Sequence, residues 1–145
     1  MAITKKNHAG NLVGRVEVCA DLLYIITMID KQKKCEPPCT QTSSKALHVI
    51  RDIFNGSHLD IEKILIFGSR ARGDYRETSD WDFLVLSSSE LPIPEKHRVI
   101  TAIKRQLAKL SIPNDIIIQS RQKFEAQKHS PGNISFVANL EGVTL

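Results

Sequence analysis

The stretch Ile64-Leu65-Ile66-Phe67-Gly68-Ser69-Arg70-Ala71-Arg72-Gly73, a short polar loop, and then Ser79-Asp80-Trp81-Asp82-Phe83 decides how this chain folds. The four apolar residues that stop at Gly68 read as a buried strand, and Trp81 to Leu86, closed by Ser87-Ser88-Ser89, reads as a second. Side chains at i and i+2 of a strand share a face, so Asp80 and Asp82 project together and Trp81 points the other way. Two neighbouring carboxylates repel unless a cation lies between them. Oxygen-rich sites of this kind suit Mg²⁺, which completes its shell with water and substrate phosphates. Gly68-Ser69, opening a turn after a strand, lets backbone approach a phosphate, and free N–H groups with the Ser69 hydroxyl can hold its oxygens.

Each piece alone has an ordinary explanation. Asp-x-Asp is common at solvated strand ends, and Gly-Ser is a turn. The segment Gly68 to Gly73 lacks the Gly-Lys-Ser/Thr ending of a Walker A loop. Arg70 and Arg72 either neutralise phosphate or pair with Asp74 and Glu77.

Working outward, Ser43 or Ser44 can cap a helix carrying Ala46, Leu47, Ile50, Ile53 and Phe54, ended by Asn55-Gly56. Pro94 suits a first helical turn, and Val99, Ile103, Leu107 and Leu110 form one stripe that stops before Pro113. Asp115-Ile116-Ile117-Ile118 reads as a third strand. Ser120 and Ser130-Pro131 read as helix starts and Gly142 as a stop. The expected fold is α/β (α+β): a small mixed sheet layered by helices, without internal repeats. If the third strand lies beside the second, Asp115 joins Asp80 and Asp82 at one sheet edge.

The chain has 145 residues with 41% hydrophobic and 25% charged, which excludes disordered and fibrous classes and leaves room for one domain. The expected division is 1–43, a helix over 11–30 plus a polar connector, and 44–145, the chemical domain. The net charge of +4 is uneven: residues 46–93 hold eight acidic and five basic groups between basic flanks. A protein built only to coat nucleic acid does not concentrate carboxylates in its middle. Cys35-Glu-Pro-Pro-Cys39 has no matching Cys/His pair, so a loop in a reducing compartment is preferred to zinc. Leu22 to Ile29 is too short to span a bilayer and no cleavage site follows, which points to the cytoplasm and no membrane. That run serves either as an interface between copies of the chain or as cover for one face of the core.

Gly68-Ser69, ten residues, then Asp80-x-Asp82, set between two apolar strands, resembles the signature of the minimal nucleotidyltransferases of the DNA polymerase β superfamily. The likeness runs from about residue 44 to the closing Glu141-Gly142-Val143 and leaves out residues 1–43. It departs at Phe83, where an aliphatic is usual, and at Asn114. The resemblance implies that Asp80 and Asp82 bind two Mg²⁺ ions and that Asp115 holds the catalytic one and helps to activate an acceptor hydroxyl. It implies that Gly68 and Ser69 contact the triphosphate; Arg70 and Arg72 join them as phosphate-binding candidates on their own charge, not on the resemblance. The reaction would move a nucleoside monophosphate, AMP by default, from an NTP to a hydroxyl. With no acceptor-selecting domain, the expected partner is a helical protein of the HEPN type, the chain acting as antitoxin. A non-catalytic nucleotide-binding module and a transferase acting on a small hydroxyl compound are the alternatives, and nucleic acid stays open as a partner. Arg51 and His58 match the HEPN Arg-x₄₋₆-His spacing, but Gly56 between them breaks the helix such a motif needs.

Overall fold

Three seven-residue strands form the centre of the domain because three apolar runs are each bounded by polar or glycine residues. A computed structural model describes residues 41–145; the expectations for the 11–30 helix and for Cys35 and Cys39 fall outside them. In chain order the elements are α1 (Gln41–Gly56), β1 (Ile61–Phe67), α2 (Gly68–Arg72), β2 (Trp81–Ser87), α3 (Ile93–Lys109), β3 (Asn114–Ser120), α4 (Arg121–Gln127), α5 (Ile134–Glu141) and β4 (Val143–Thr144). The sheet order is β3-β2-β1-β4. β1 pairs antiparallel with β2 and β4, whereas β2 and β3 run parallel, joined through α3 as a parallel pair requires. This is the mixed α/β sheet expected.

Alternation sorts the side chains into two layers. On one face Ile64, Ile66, Trp81, Phe83, Val85, Ile116 and Ile118 meet Ile50 and Phe54 of α1 and Val99, Ile103 and Leu107 of α3. On the other, Leu65, Phe67, Leu84 and Leu86 meet Phe124 of α4 and Ala138 of α5. Asp82 shares the alternation of Leu84 and Leu86, and Asp115 that of Ile117. Both acids therefore belong to the α4/α5 face, at the ends where β2 and β3 begin.

Several boundaries follow the sequence, and others do not. Gly56 ends α1, and His58 lies beyond it with φ of 54°, so Arg51 and His58 share no helix. Ser43 and Ser44 lie inside α1 and do not cap it, and Ser43 is buried. Pro94 falls in the first turn of α3, whose end is closed by Ser111 in a left-handed conformation with the Ile112 N–H on the Leu107 carbonyl. Ser120 caps α4, accepting from the Lys123 N–H. The start expected at Ser130-Pro131 moves to Asn133, whose Oδ1 accepts from the Phe136 N–H while its Nδ2 donates to the Ser130 and Gln127 carbonyls. Asn133 competes for the cap because it can satisfy donor and acceptor at once.

At the opposite sheet end, Glu90 is held at a pKa of about 2 by a hydrogen bond with Ser120 and then by Lys96, 2.9 Å away. That depression is large for a side chain 53% exposed, and solvent screening leaves such a pair worth less than about 1 kcal/mol. A depressed carboxylate stabilises the fold above its unfolded pKa and loses that contribution as pH falls through the folded value. Glu90→Gln is therefore expected to melt slightly below wild type at pH 7. Thermal melts from pH 7 to 2 should show that gap narrowing from about pH 4.5 and closing near pH 2.

Candidate active site

The site is built on the end of β1 and the beginnings of β2 and β3. Phe67 lies opposite Asp82 across the β1–β2 pair, and Asp82 lies opposite Asp115 across the β2–β3 pair. Asp80 precedes β2 by one residue and follows the same alternation as Asp82. The sequence-predicted acids thus share one edge and one face, and the adjacency on which Asp115 depended is present.

Gly68 is needed here for a reason the sequence did not advertise. Its φ is 72°, and a Cβ placed on it would sit 2.3 Å from Asp82 Oδ2. The missing side chain makes room for the Asp82 carboxylate itself. The Gly68 N–H donates to Glu141 Oε1 at 2.8 Å, so this backbone donor is already engaged. Ser69 is the second residue of the five-residue helix α2 and is half-buried.

Arg70 and Arg72 leave α2 in different directions. Arg70 is 9% exposed. Its Nε and Nη2 donate to the Ser79 carbonyl at 3.1 and 2.8 Å, and Nη2 also donates to the Glu77 carbonyl at 3.1 Å. Its guanidinium carbon lies 4.7 Å from the centre of the Tyr75 ring and 4.4 Å from the centre of the Trp81 ring. In this geometry the Arg70 donors are engaged by the loop that delivers Asp80. They go to backbone carbonyls and not to the Glu77 carboxylate. Arg70→Ala is expected to destabilise the fold by about 2–3 kcal/mol, the scale for charged hydrogen bonds plus cation–π contacts. Arg70→Lys should recover less than half of that, because an ammonium lacks the planar fork. Urea titration of both variants checks this.

Arg72 is exposed and bound to carboxylates. Nη1 donates to both oxygens of Glu141 at 2.9 Å and Nε to Asp74 Oδ2 at 3.2 Å. The hydrogen bond to Glu141, and then that to Asp74, keep the guanidinium firmly protonated. The Asp74 pairing was one of the alternatives read from sequence. Glu141 was not identified as a site residue, and no local spacing signals it.

The electrostatics centre on Asp82. Burial first, then the negative charges of Asp115, Asp80 and Glu141, push its pKa above the usual carboxylate range, with Arg72 pulling the other way. Asp115 is drawn to a different cation: Lys104 Nζ of α3 lies 2.9 Å from its Oδ1. Lys104 was also missed. Among the described residues, no group of three or more His, Cys, Asp or Glu side chains is placed so that it could hold a metal ion. The donor set still fits a hard divalent cation. It is all oxygen, it is mutually repulsive at Asp82, and a glycine keeps one carboxylate oxygen uncrowded. By charge and donor type the candidate ligands are Asp80, Asp82 and Asp115, the last of them ion-paired with Lys104 in this structure.

The edge is open. Asp80 is exposed, the Asp115 side chain is 56% exposed, and two grooves of about 350 and 380 Å³ lie elsewhere, one beside Arg51 and Asp60 and one between α1 and α3. Among the described residues no helix is long and apolar enough to cross a membrane.

Residues 49–131 match the family described as Polymerase beta, Nucleotidyltransferase. Two proteins of Methanocaldococcus jannaschii, MJ0141 and MJ0604, both provisionally named protein adenylyltransferases, are 38% identical over 52 residues and 36% identical over 64. Those segments are 36% and 44% of this chain and 52% and 59% of the relatives, so the chain spans little more than half the length of the curated proteins it matches. Among solved structures, that of a toxin-antitoxin with AMP-PNP is 15% identical with a TM-score of 0.45, over 67% of this chain and 69% of that one.

Proposed function

Because the chain belongs to the polymerase β nucleotidyltransferase family, we propose that it is the nucleotide-handling half of a Mg²⁺-dependent transferase that adenylylates a hydroxyl on a partner protein. The observation that carries the reading is the register that sets Asp82 between Asp115 and the end of β1, with Asp80 on the same face. The choice of a protein acceptor is supported by the openness of that edge and by the names of the two archaeal relatives. The pairing with a HEPN-type toxin comes from the family resemblance.

In this reading the acceptor oxygen forms a bond to the α-phosphorus while the α–β phosphoanhydride bond breaks and pyrophosphate leaves. Asp80, Asp82 and Asp115 would hold Mg²⁺, which neutralises triphosphate charge and acidifies the acceptor hydroxyl. The chain's own residues do the remaining work. The loop fixed by Arg70 presents Asp80, and Gly68 keeps Asp82 in place. Ser69 offers its hydroxyl and N–H to phosphate oxygens. Arg72, being exposed, can exchange Asp74 for a phosphate. The acceptor proton passes to Asp115 after Lys104 has moved off its carboxylate.

Incubation of the full chain with α-labelled ATP, Mg²⁺ and a candidate helical HEPN-type partner protein should transfer label to that protein and release unlabelled pyrophosphate. Nucleotide binding without transfer to any acceptor would favour a binding module, and label on a small hydroxyl compound would favour the small-molecule transferase.

A further inference from the structure

Glu141 is tied to the nucleotide elbow from a distance of 73 residues. It is the last residue of α5, and its side chain is only 20% exposed. One carboxylate oxygen accepts from the Gly68 N–H, and both accept from Arg72 Nη1. Its backbone is held on both sides. The Gly142 N–H donates to the Ala138 carbonyl at 3.0 Å, and a Cβ on Gly142 would come within 2.1 Å of that oxygen, so the chain turns tightly out of α5. Immediately beyond, Val143 and Thr144 pair with Ile66 and Leu65 of β1. A phosphate seeking the Gly68 N–H would have to displace a carboxylate that sits between a helix and a strand and is already neutralised by Arg72.

We propose that Glu141 is a positioning residue of this site: it holds the Gly68 N–H permanently, fixes the left-handed turn there, and leaves Ser69 as the member of the pair that meets the triphosphate. The proposal rests on the nucleotidyltransferase reading and deepens it. A clamp of this kind acts on nucleotide geometry through an acceptor oxygen, so an amide oxygen can replace a carboxylate oxygen on the Gly68 N–H.

The test is Mg·ATP affinity by calorimetry on the full chain, with KM and kcat for label transfer. Glu141→Gln should bind within about 3-fold of wild type, whereas Glu141→Ala leaves the Gly68 N–H unpaired and should bind about 10-fold or more weakly, raising KM more than it lowers kcat. Equal affinity of Glu141→Ala and wild type overturns the proposal while leaving the transferase reading intact. Glu141→Gln as weak as Glu141→Ala overturns the role of the acceptor oxygen. If wild type neither binds Mg·ATP nor transfers label, the functional reading falls and the proposal with it. A check needing no variant is the coupling across the hydrogen bond between the Gly68 amide nitrogen and the Glu141 carboxyl carbon. It should persist in the wild-type Mg·ATP complex, and its loss there would mean that the nucleotide displaces Glu141.

Discussion

Asp82→Asn is expected to give a protein that melts above wild type at pH 7 and transfers no label. The two effects share one cause. Burial and the charges of Asp115, Asp80 and Glu141 disfavour the ionised Asp82 side chain in the folded chain, raising its pKa. An acid whose folded pKa is raised costs stability once it is ionised in both states. That cost is absent at pH values below about 3.8, grows as pH rises through the raised folded value, and is constant above it. The amide removes the charge, so the stability gap between variant and wild type should follow the same rise. Transfer should fall by about 10³-fold or more, because several kcal/mol of charge stabilisation go with a metal-holding carboxylate. Melting temperature against pH, with and without Mg²⁺, separates the parts. Mg²⁺ should stabilise wild type, EDTA should reverse this, and the variant should respond to neither. A variant that melts below wild type across the range would show that the carboxylate is not under repulsion. One that still transfers label would remove Asp82 from the site.

What could be read from sequence was what is local. The common face of Asp80 and Asp82 follows from strand period alone, and the three apolar runs name the central strands. Asp115 was legible only conditionally, because strand pairing between segments some thirty residues apart is a tertiary outcome; the parallel register with β2 supplied it. Arg70 had two sequence readings of equal merit, and neither named the Ser79 and Glu77 carbonyls as partners. Backbone acceptors carry no mark in the sequence, so an arginine that folds a loop looks like one that binds phosphate. Glu141 and Lys104 were missed for the same physical reason. Their partners are brought to them by the ends of α5 and by the packing of α3 on the sheet, not by periodicity. Ser130 lost the helix start to Asn133 because side-chain caps are decided by which donor and acceptor both find partners.

Gly68→Ala tests the same contact from the opposite strand. The φ of 72° is left-handed, which costs a residue with a Cβ about 1–2 kcal/mol. The added methyl would also lie 2.3 Å from Asp82 Oδ2, a separation that real atoms do not keep, so the carboxylate must swing away. Asp82 is short and sits on a strand paired on both sides, which limits where it can go. The expected result is a moderate loss of stability with a disproportionate loss of transfer, about 10²-fold for a displacement of an ångström or so. A double-mutant cycle identifies the cause. Asp82→Ala removes the colliding oxygen, so combining it with Gly68→Ala should leave only the backbone cost, and the two changes should be less than additive in urea denaturation. Full additivity would mean that the methyl never meets the carboxylate and that Gly68 serves the turn alone. Wild-type transfer by Gly68→Ala would go further, since it would separate the Asp82 carboxylate from the elbow on which the proposed nucleotide site depends.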